Sequence, residues 1–303
     1  MKDFIAACVQ IAIKPNDVQA NIDKGVAWLK KAVADYEAEL VVFPETVTTG
    51  YETGLTAEEL WDLVDEAPGS ITSMVQKAAR QLGVYVVWPS YRRGGPRGVV
   101  YNSSILIGPD GEIVGMYDKT HPAPWERRDG GGWVEVGNRA DVFETELGTI
   151  GMIICYDGDF PELSRLLAVK GAEVIVRASA LQRSYDIWYL TTAARAYDNH
   201  VYMVASNLVG PDACGNYGFG HSMIVNPIAW RLAQARGTEE IIAAKLDPDP
   251  LRYITWGSKS LQTFDHLEDR NLDLYEEILK EARSRFEPGK RVPRVERSLE
   301  SKG

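Results

Sequence analysis

Residues 151 to 162 read GMIICYDGDFPE. The apolar run Ile150 to Ile154 is a strand pattern that delivers Cys155 into a turn of Tyr156, Asp157, Gly158 and Asp159, and Pro161 then opens an amphipathic segment at the start of a helix. A thiol at the tip of a rigid strand, beneath a helix amino terminus whose free N–H groups favour a thiolate and a developing oxyanion, is placed to act as a nucleophile. A lone cysteine after a strand also reads as a buried core residue, because free cysteine is among the most buried types. Two other segments bear on the choice.

In AELVVFPETVTTGY, residues 38 to 51, Leu40 to Phe43 form an apolar strand that Pro44 ends, and Glu45 follows directly. A carboxylate just past a buried strand is a candidate base, with a salt-bridged structural role as the competing reading. In YNSSILIGPDGEIVGMYDKTHPAPWE, residues 101 to 126, two strand patterns flank the Pro109, Asp110, Gly111 turn, and the second runs out into Asp118, Lys119 and Thr120. Taken alone, Lys119 is a solvated surface lysine. Taken together, a glutamate, a lysine and a cysteine each follow a strand, and α/β folds gather their chemistry at strand ends on one side of a sheet.

These three segments, FPE with Glu45, YDKTH with Lys119 and CYDGDFPE with Cys155, resemble the signature motifs of the nitrilase superfamily of carbon–nitrogen hydrolases. The match runs over about residues 4 to 250 and includes GAEVIVRASA at 171 to 180 and ARAYDNHVYMVASN at 194 to 207. The resemblance implies Glu45 as general base, Lys119 as stabiliser of the oxyanion and Cys155 as covalent nucleophile. Glu126, in WERR, matches a second glutamate that the family places shortly after the lysine.

The chemistry follows from the residues as well. Thiolate attack splits amide hydrolysis into acylation and deacylation, two easier steps in place of one hard one. Glu45 can take the thiol proton, pass it to the departing amine and then activate the water, while Lys119 and the Tyr156 backbone N–H hold the oxyanion. Glu126 would orient the substrate or the lysine, and two carboxylates near one site oppose joint ionisation, so one should carry a raised pKa. A cysteine–histidine pair is the weaker account. Of the four histidines, His200 and His221 read as structural, and His121, two residues past Lys119, reads as pocket lining. Tyr51, Trp125 and Trp188 are further candidates for the substrate wall, with simple core packing as the competing reading. No His, Cys or carboxylate set has metal-ligand spacing, and no cofactor is expected.

For the substrate, the Asp–Gly form of the cysteine loop and the His221, Ser222 pair resemble the aliphatic amidase and formamidase branch. N-carbamoyl-D-amino acid hydrolases of the family carry arginines just after the cysteine to clamp a carboxylate, and here those positions are Gly158 and Asp159. A neutral or cationic small amide is therefore favoured, with a nitrile or an N-carbamoyl compound as alternatives. An inactive scaffold of the same fold that binds a partner is the reading from another class, and the presence of all four polar residues opposes it.

The chain has 303 residues, 45% hydrophobic and 25% charged, with a net charge of −10. That size suits one α/β unit, and the charge leaves no basic footprint for nucleic acid or an anionic membrane. Cys8, Cys155 and Cys214 are too scattered for a disulfide framework, no apolar run is long enough to span a membrane, and the expected location is cytoplasmic. Helices are expected at 16–36, 57–66, 69–82, 160–170 and 184–199, and strands near 4–12, 39–43, 84–88, 101–107, 112–117, 149–154, 173–177, 201–205, 221–225 and 240–245. Hairpins mixed with crossovers indicate a layered α/β sandwich, which the resemblance sharpens to a four-layer αββα sandwich. The glycine-rich RRDGGGW at 127 to 133 reads as a mobile surface loop. A hydrolase domain is expected over residues 1–255 and a carboxyl-terminal extension over 256–303, with a helix at 271–285. In relatives such an extension commonly crosses a dimer interface, so a homodimer or larger homo-oligomer is expected.

Overall fold

Alternate residues of the first strand enter different apolar clusters. Phe4, Ala6 and Cys8 join one, and Ala7 and Val9 join the other. A strand buried on both faces lies between two layers, and Leu40 and Val42 divide from Val41 and Phe43 in the same way. In the computed structural model, which describes residues 1–252, 255–256, 260–261, 263–286, 288 and 290, this alternation builds two sheets packed face to face.

The first half of the chain runs β1 (Phe4–Gln10), α1 (Val18–Tyr36), β2 (Leu40–Val42), α2 (Ala57–Leu63), α3 (Ser70–Leu82), β3 (Tyr85–Arg93), β4 (Val100–Ile107) and β5 (Ile113–Asp118). The second runs β6 (Val142–Thr145), β7 (Gly148–Ile154), α4 (Pro161–Val169), β8 (Val174–Ser179), α5 (Tyr185–Asn199), β9 (Tyr202–Asn207), β10 (Val209–Pro211), β11 (Tyr217–Phe219), β12 (Met223–Val225), β13 (Arg231–Gln234) and β14 (Glu240–Leu246). One six-stranded sheet has the order β14-β1-β2-β3-β4-β5, and the other β13-β12-β9-β8-β7-β6. The central strands of each, β1-β2-β3 and β7-β8-β9, are parallel, and the flanking pairs are antiparallel.

Ile22 and Leu29 of α1 and Val75 and Ala79 of α3 pack with Val41, Val86 and Trp88 on the outer face of the first sheet. Leu163 and Leu167 of α4 and Trp188 and Ala196 of α5 share the cluster of the second sheet. The result is the four-layer αββα sandwich, each fully buried Leu, Ile or Val side chain contributing about 1.5–3 kcal/mol. Pro161 stands at the first position of α4, as its sequence context requires.

All ten expected strands and five expected helices before residue 250 are present. The short β6, β10, β11 and β13 escape the sequence pattern because three or four residues carry no readable alternation. The expected helix over 271–285 is not formed. That stretch holds two short 3-10 turns, Leu272–Leu274 and Glu276–Leu279, whose apolar side chains stay exposed, Leu279 at 89%. Without a face to bury, nothing offsets the cost of nucleating a helix. The extension is tied to the body further upstream, where Arg165 Nη1 donates to the His266 carbonyl at 2.9 Å. The expectation for residues 289–303 lies almost wholly outside the described residues.

The glycine-rich 127–133 stretch also departs from expectation, because it folds back on Glu126. The Trp133 and Val134 N–H groups donate to the Glu126 carbonyl at 3.0 and 2.9 Å, and a Cβ on Gly132 would stand 2.3 Å from that carbonyl. Glycine permits this approach, and the loop fixes the backbone of Glu126 from behind.

Candidate active site

Because β2, β3 and β5 run in one direction, Glu45 and Lys119 leave the first sheet at the same edge. Lys119 continues the β4–β5 ladder by donating its backbone N–H to the Asn102 carbonyl at 2.8 Å. Its ammonium then turns inward, donating to Glu45 Oε1 at 2.7 Å and Glu126 Oε2 at 2.8 Å, and all three side chains have no solvent exposure. Asn102 Nδ2 ties the carboxylates together, at 2.7 Å to Glu45 Oε1 and 3.0 Å to Glu126 Oε1. Backbone and hydroxyl donors complete the set. Glu45 Oε2 accepts the Ala180 N–H at 2.8 Å, and Glu126 Oε2 accepts the Ala123 N–H at 3.0 Å and the Tyr51 hydroxyl at 3.2 Å.

Burial and the surrounding charges shift the protonation of Glu45 and Lys119. Burial pushes the Glu45 carboxyl up, Lys119 opposes that, and the charge of Glu126 reinforces it. Burial alone would pull Lys119 down, yet the charges of Glu126 and Glu45 hold it protonated with a raised pKa. Tyr51, with the Lys119 ammonium 5.3 Å from its ring centroid, is kept a neutral phenol by burial and by both carboxylates.

Cys155 comes from the second sheet. β7 ends at Ile154, and Cys155 opens a 3-10 turn, Cys155–Asp159, with φ +48°. A left-handed setting for a residue with a Cβ costs on the order of 1–3 kcal/mol and persists only where surrounding contacts enforce it. Asp157 supplies part of that enforcement. Its buried carboxylate accepts the Ile154 N–H at 2.8 Å, the Tyr117 hydroxyl at 2.7 Å and the His121 N–H at 2.9 Å, so it joins the cysteine turn to the loop that carries Lys119. α4 begins at Pro161, as expected, and the 3-10 turn lies between Cys155 and its amino terminus along the chain. Burial pushes the Cys155 thiol up to about 12, as does the neighbouring Glu45, while Lys119 and Arg177 counteract them. Burial thus favours the neutral thiol at rest over a preformed thiolate.

The other expected site residues have separate placements. His121 is turned to Asp157, with Nδ1 3.1 Å from Oδ1, and its ring stacks on Phe160 with centroids 4.0 Å apart. Trp125, the residue before Glu126 in the chain, is 51% exposed. Trp188 is fully buried behind the cysteine turn, donating its indole N–H to the His221 carbonyl at 2.7 Å. Asn102, Asp157, Arg177 and the Ala180 N–H were not singled out from the sequence. A charged residue inside the apolar run VIVRAS was the available signal for Arg177.

The carbon–nitrogen hydrolase family model matches residues 5–254. The chain belongs to this family. A probable nitrilase of Schizosaccharomyces pombe is 34% identical over 280 residues, which is 90% of this hydrolase and 97% of the relative. A formamidase of Bacillus cereus (strain Q1) is 32% identical over 258 residues, 81% of this chain and 74% of its own. The crystal structure of a Saccharomyces cerevisiae member of branch 10 of the nitrilase superfamily superposes with a TM-score of 0.71 at 26% identity, covering 82% of this hydrolase and 92% of that chain. Among the described residues, no helix is long and apolar enough to cross a membrane.

Proposed function

We propose that this hydrolase cleaves the carbon–nitrogen bond of a small neutral or cationic amide and releases ammonia through a thioester on Cys155. The observation that carries the reading is the sealed Glu45–Lys119–Glu126 cluster, of which Glu45 and Lys119 act on the Cys155 thiol. In acylation the thiol proton passes to Glu45 as sulfur attacks the carbonyl carbon. The carbonyl π electrons move to oxygen, where the Lys119 ammonium and the Tyr156 N–H receive them. The tetrahedral adduct collapses, the C–N bond breaks, and the amine leaves with the proton held by Glu45. In deacylation Glu45 takes a proton from water, the hydroxide attacks the thioester, and the Cys155 sulfur departs and is reprotonated. Glu126 holds Lys119 on its line to the oxyanion, with Tyr51 and Asn102 fixing Glu126 in turn. No step calls on a cofactor.

Full enclosure of the three charged side chains favours a substrate of few heavy atoms, in keeping with a relative named formamidase. A nitrile is the second reading, supported by the relative named probable nitrilase, because the same thiol can add to a nitrile carbon. A panel of short amides, nitriles and N-carbamoyl amines, scored for ammonia, acid and carbon dioxide, separates them. Ammonia and acid from amides alone is the expected result, and carbon dioxide would move the assignment to the carbamoyl class. We propose a cytoplasmic location, supported by three unpaired cysteines. We also propose a homodimer, supported by the exposed Leu272, Leu274, Ile278 and Leu279 of the extension; a monomer in sedimentation would remove that reading.

A further inference from the structure

Strand β8 carries one charged residue, Arg177, and its side chain has no solvent exposure. The guanidinium is packed between the Trp188 indole, 4.8 Å from the ring centroid, and Gly158, where a Cβ would stand 2.2 Å from Cζ. Nε and Nη2 both donate to the Cys155 carbonyl, at 3.1 and 2.7 Å, and Nη1 donates to the Thr191 and Thr192 hydroxyls at 2.8 and 3.0 Å. The carboxylate it faces, Asp159, is 3.8 Å away and is itself bound to Arg183 at 2.7 Å. Burying a cation among mostly neutral acceptors is costly, and burial pulls this guanidinium down to about 10. An apolar side chain would fill the same space without that cost.

What the charge grips explains why it is there. The carbonyl of Cys155 and the N–H of Tyr156 belong to one peptide group, so two donors on the oxygen fix that group's plane and strengthen the N–H at its other end. The grip also anchors the left-handed Cys155 backbone at its carbonyl, while Asp157 holds the Ile154 N–H just before it. We infer that Arg177 is a positioning residue for acylation: it clamps the Cys155–Tyr156 peptide so that the Tyr156 N–H meets the oxyanion, and its positive charge favours the Cys155 thiolate as it forms. This deepens the proposed function and rests on Cys155 being the nucleophile.

The test compares wild type, Arg177→Met and Arg177→Lys. Wild type is first shown to form an acyl-enzyme on Cys155 by mass spectrometry; without it the proposed function fails, independently of Arg177. In folded Arg177→Met, single-turnover acylation is expected to fall about a hundredfold, the loss typical of an oxyanion donor, with KM changed by no more than about twofold. Alkylation of Cys155 by iodoacetamide at fixed pH should also slow. Arg177→Lys keeps the cation and loses the two-pronged grip, so alkylation should stay near the wild-type rate while acylation still falls about tenfold or more. If Arg177→Met does not fold, the lysine variant decides. Wild-type acylation in Arg177→Lys overturns the inference, as does a loss in Arg177→Met that appears wholly in KM.

Discussion

Lys119 Nζ donates to Glu45 Oε1 across 2.7 Å, and neither side chain reaches solvent. Glu126 Oε2 accepts from the same ammonium at 2.8 Å, so Lys119 is the cation shared by two buried carboxyl groups. Lys119→Met is expected to lower the acylation rate by about a hundredfold or more, with much less effect on ground-state binding.

The same substitution leaves two buried carboxyls unpaired, which should cost about 3–5 kcal/mol at neutral pH. A carboxyl whose folded pKa lies above its unfolded value stabilises the fold fully below that unfolded value, near 4.5 here, and loses this contribution as pH rises through the folded pKa. The deficit of Lys119→Met should therefore shrink as pH falls towards 4.5. Chemical denaturation at neutral and mildly acidic pH measures it, and a deficit independent of pH would contradict the charge argument.

Glu45 must be ionised to accept the thiol proton, and its raised pKa places the acid limb of kcat/KM above the ordinary glutamate value of 4.5. Activity is lost as pH falls through that raised value. Glu126→Gln removes a like charge, so the limb of its residual activity should move to lower pH. A limb that stays in place would show that Glu126 does not act on Glu45.

Thiol labelling distinguishes the three cysteines. Cys8 is fully buried, and burial raises its pKa, whereas Cys214 is exposed. Iodoacetamide should label Cys214 in the native protein without loss of turnover, label Cys155 more slowly and in step with inactivation, and reach Cys8 only after denaturation. Cys155→Ala should abolish turnover and leave the denaturation midpoint near wild type, since a single sulfur leaves only a small cavity. Peptide mapping against residual activity checks both.

Glu45, Lys119 and Cys155 were legible because each stands directly after a strand readable from local apolar pattern, and the motif resemblance tied them to one site. Their partners were not. Asn102 lies within a strand like any polar residue facing a neighbour, and only the β3–β4–β5 pairing and the turn of the chain after β2 bring its amide to two carboxylates. The role of Asp157 depends on Tyr117 and His121, which are 40 and 36 residues away in sequence. The 271–285 stretch failed in the opposite sense, since helical spacing of apolar residues says nothing about whether a surface exists to receive them.

The last prediction concerns the identity of the base. His121 is the histidine nearest Lys119 in sequence, yet its Nδ1 is engaged with Asp157 and its ring is stacked on Phe160. Glu45 instead has its carboxylate fixed by Lys119, Asn102 and the Ala180 N–H, and its charge acts directly on the Cys155 thiol. Glu45→Gln keeps the shape and removes the basicity, so the thiol should stay in place but acylate at least a hundredfold more slowly, about the contribution of a positioned general base. Removing that negative charge also leaves Lys119 and Arg177 less opposed, so alkylation of Cys155 at fixed pH should be as fast as in wild type or faster. Slow turnover with a reactive thiol is the signature of a lost base, and a disturbed site would slow both. Single-turnover acylation and alkylation are compared for Glu45→Gln, Glu126→Gln and His121→Ala. If His121→Ala lost acylation while Glu45→Gln kept it, the histidine would be the base.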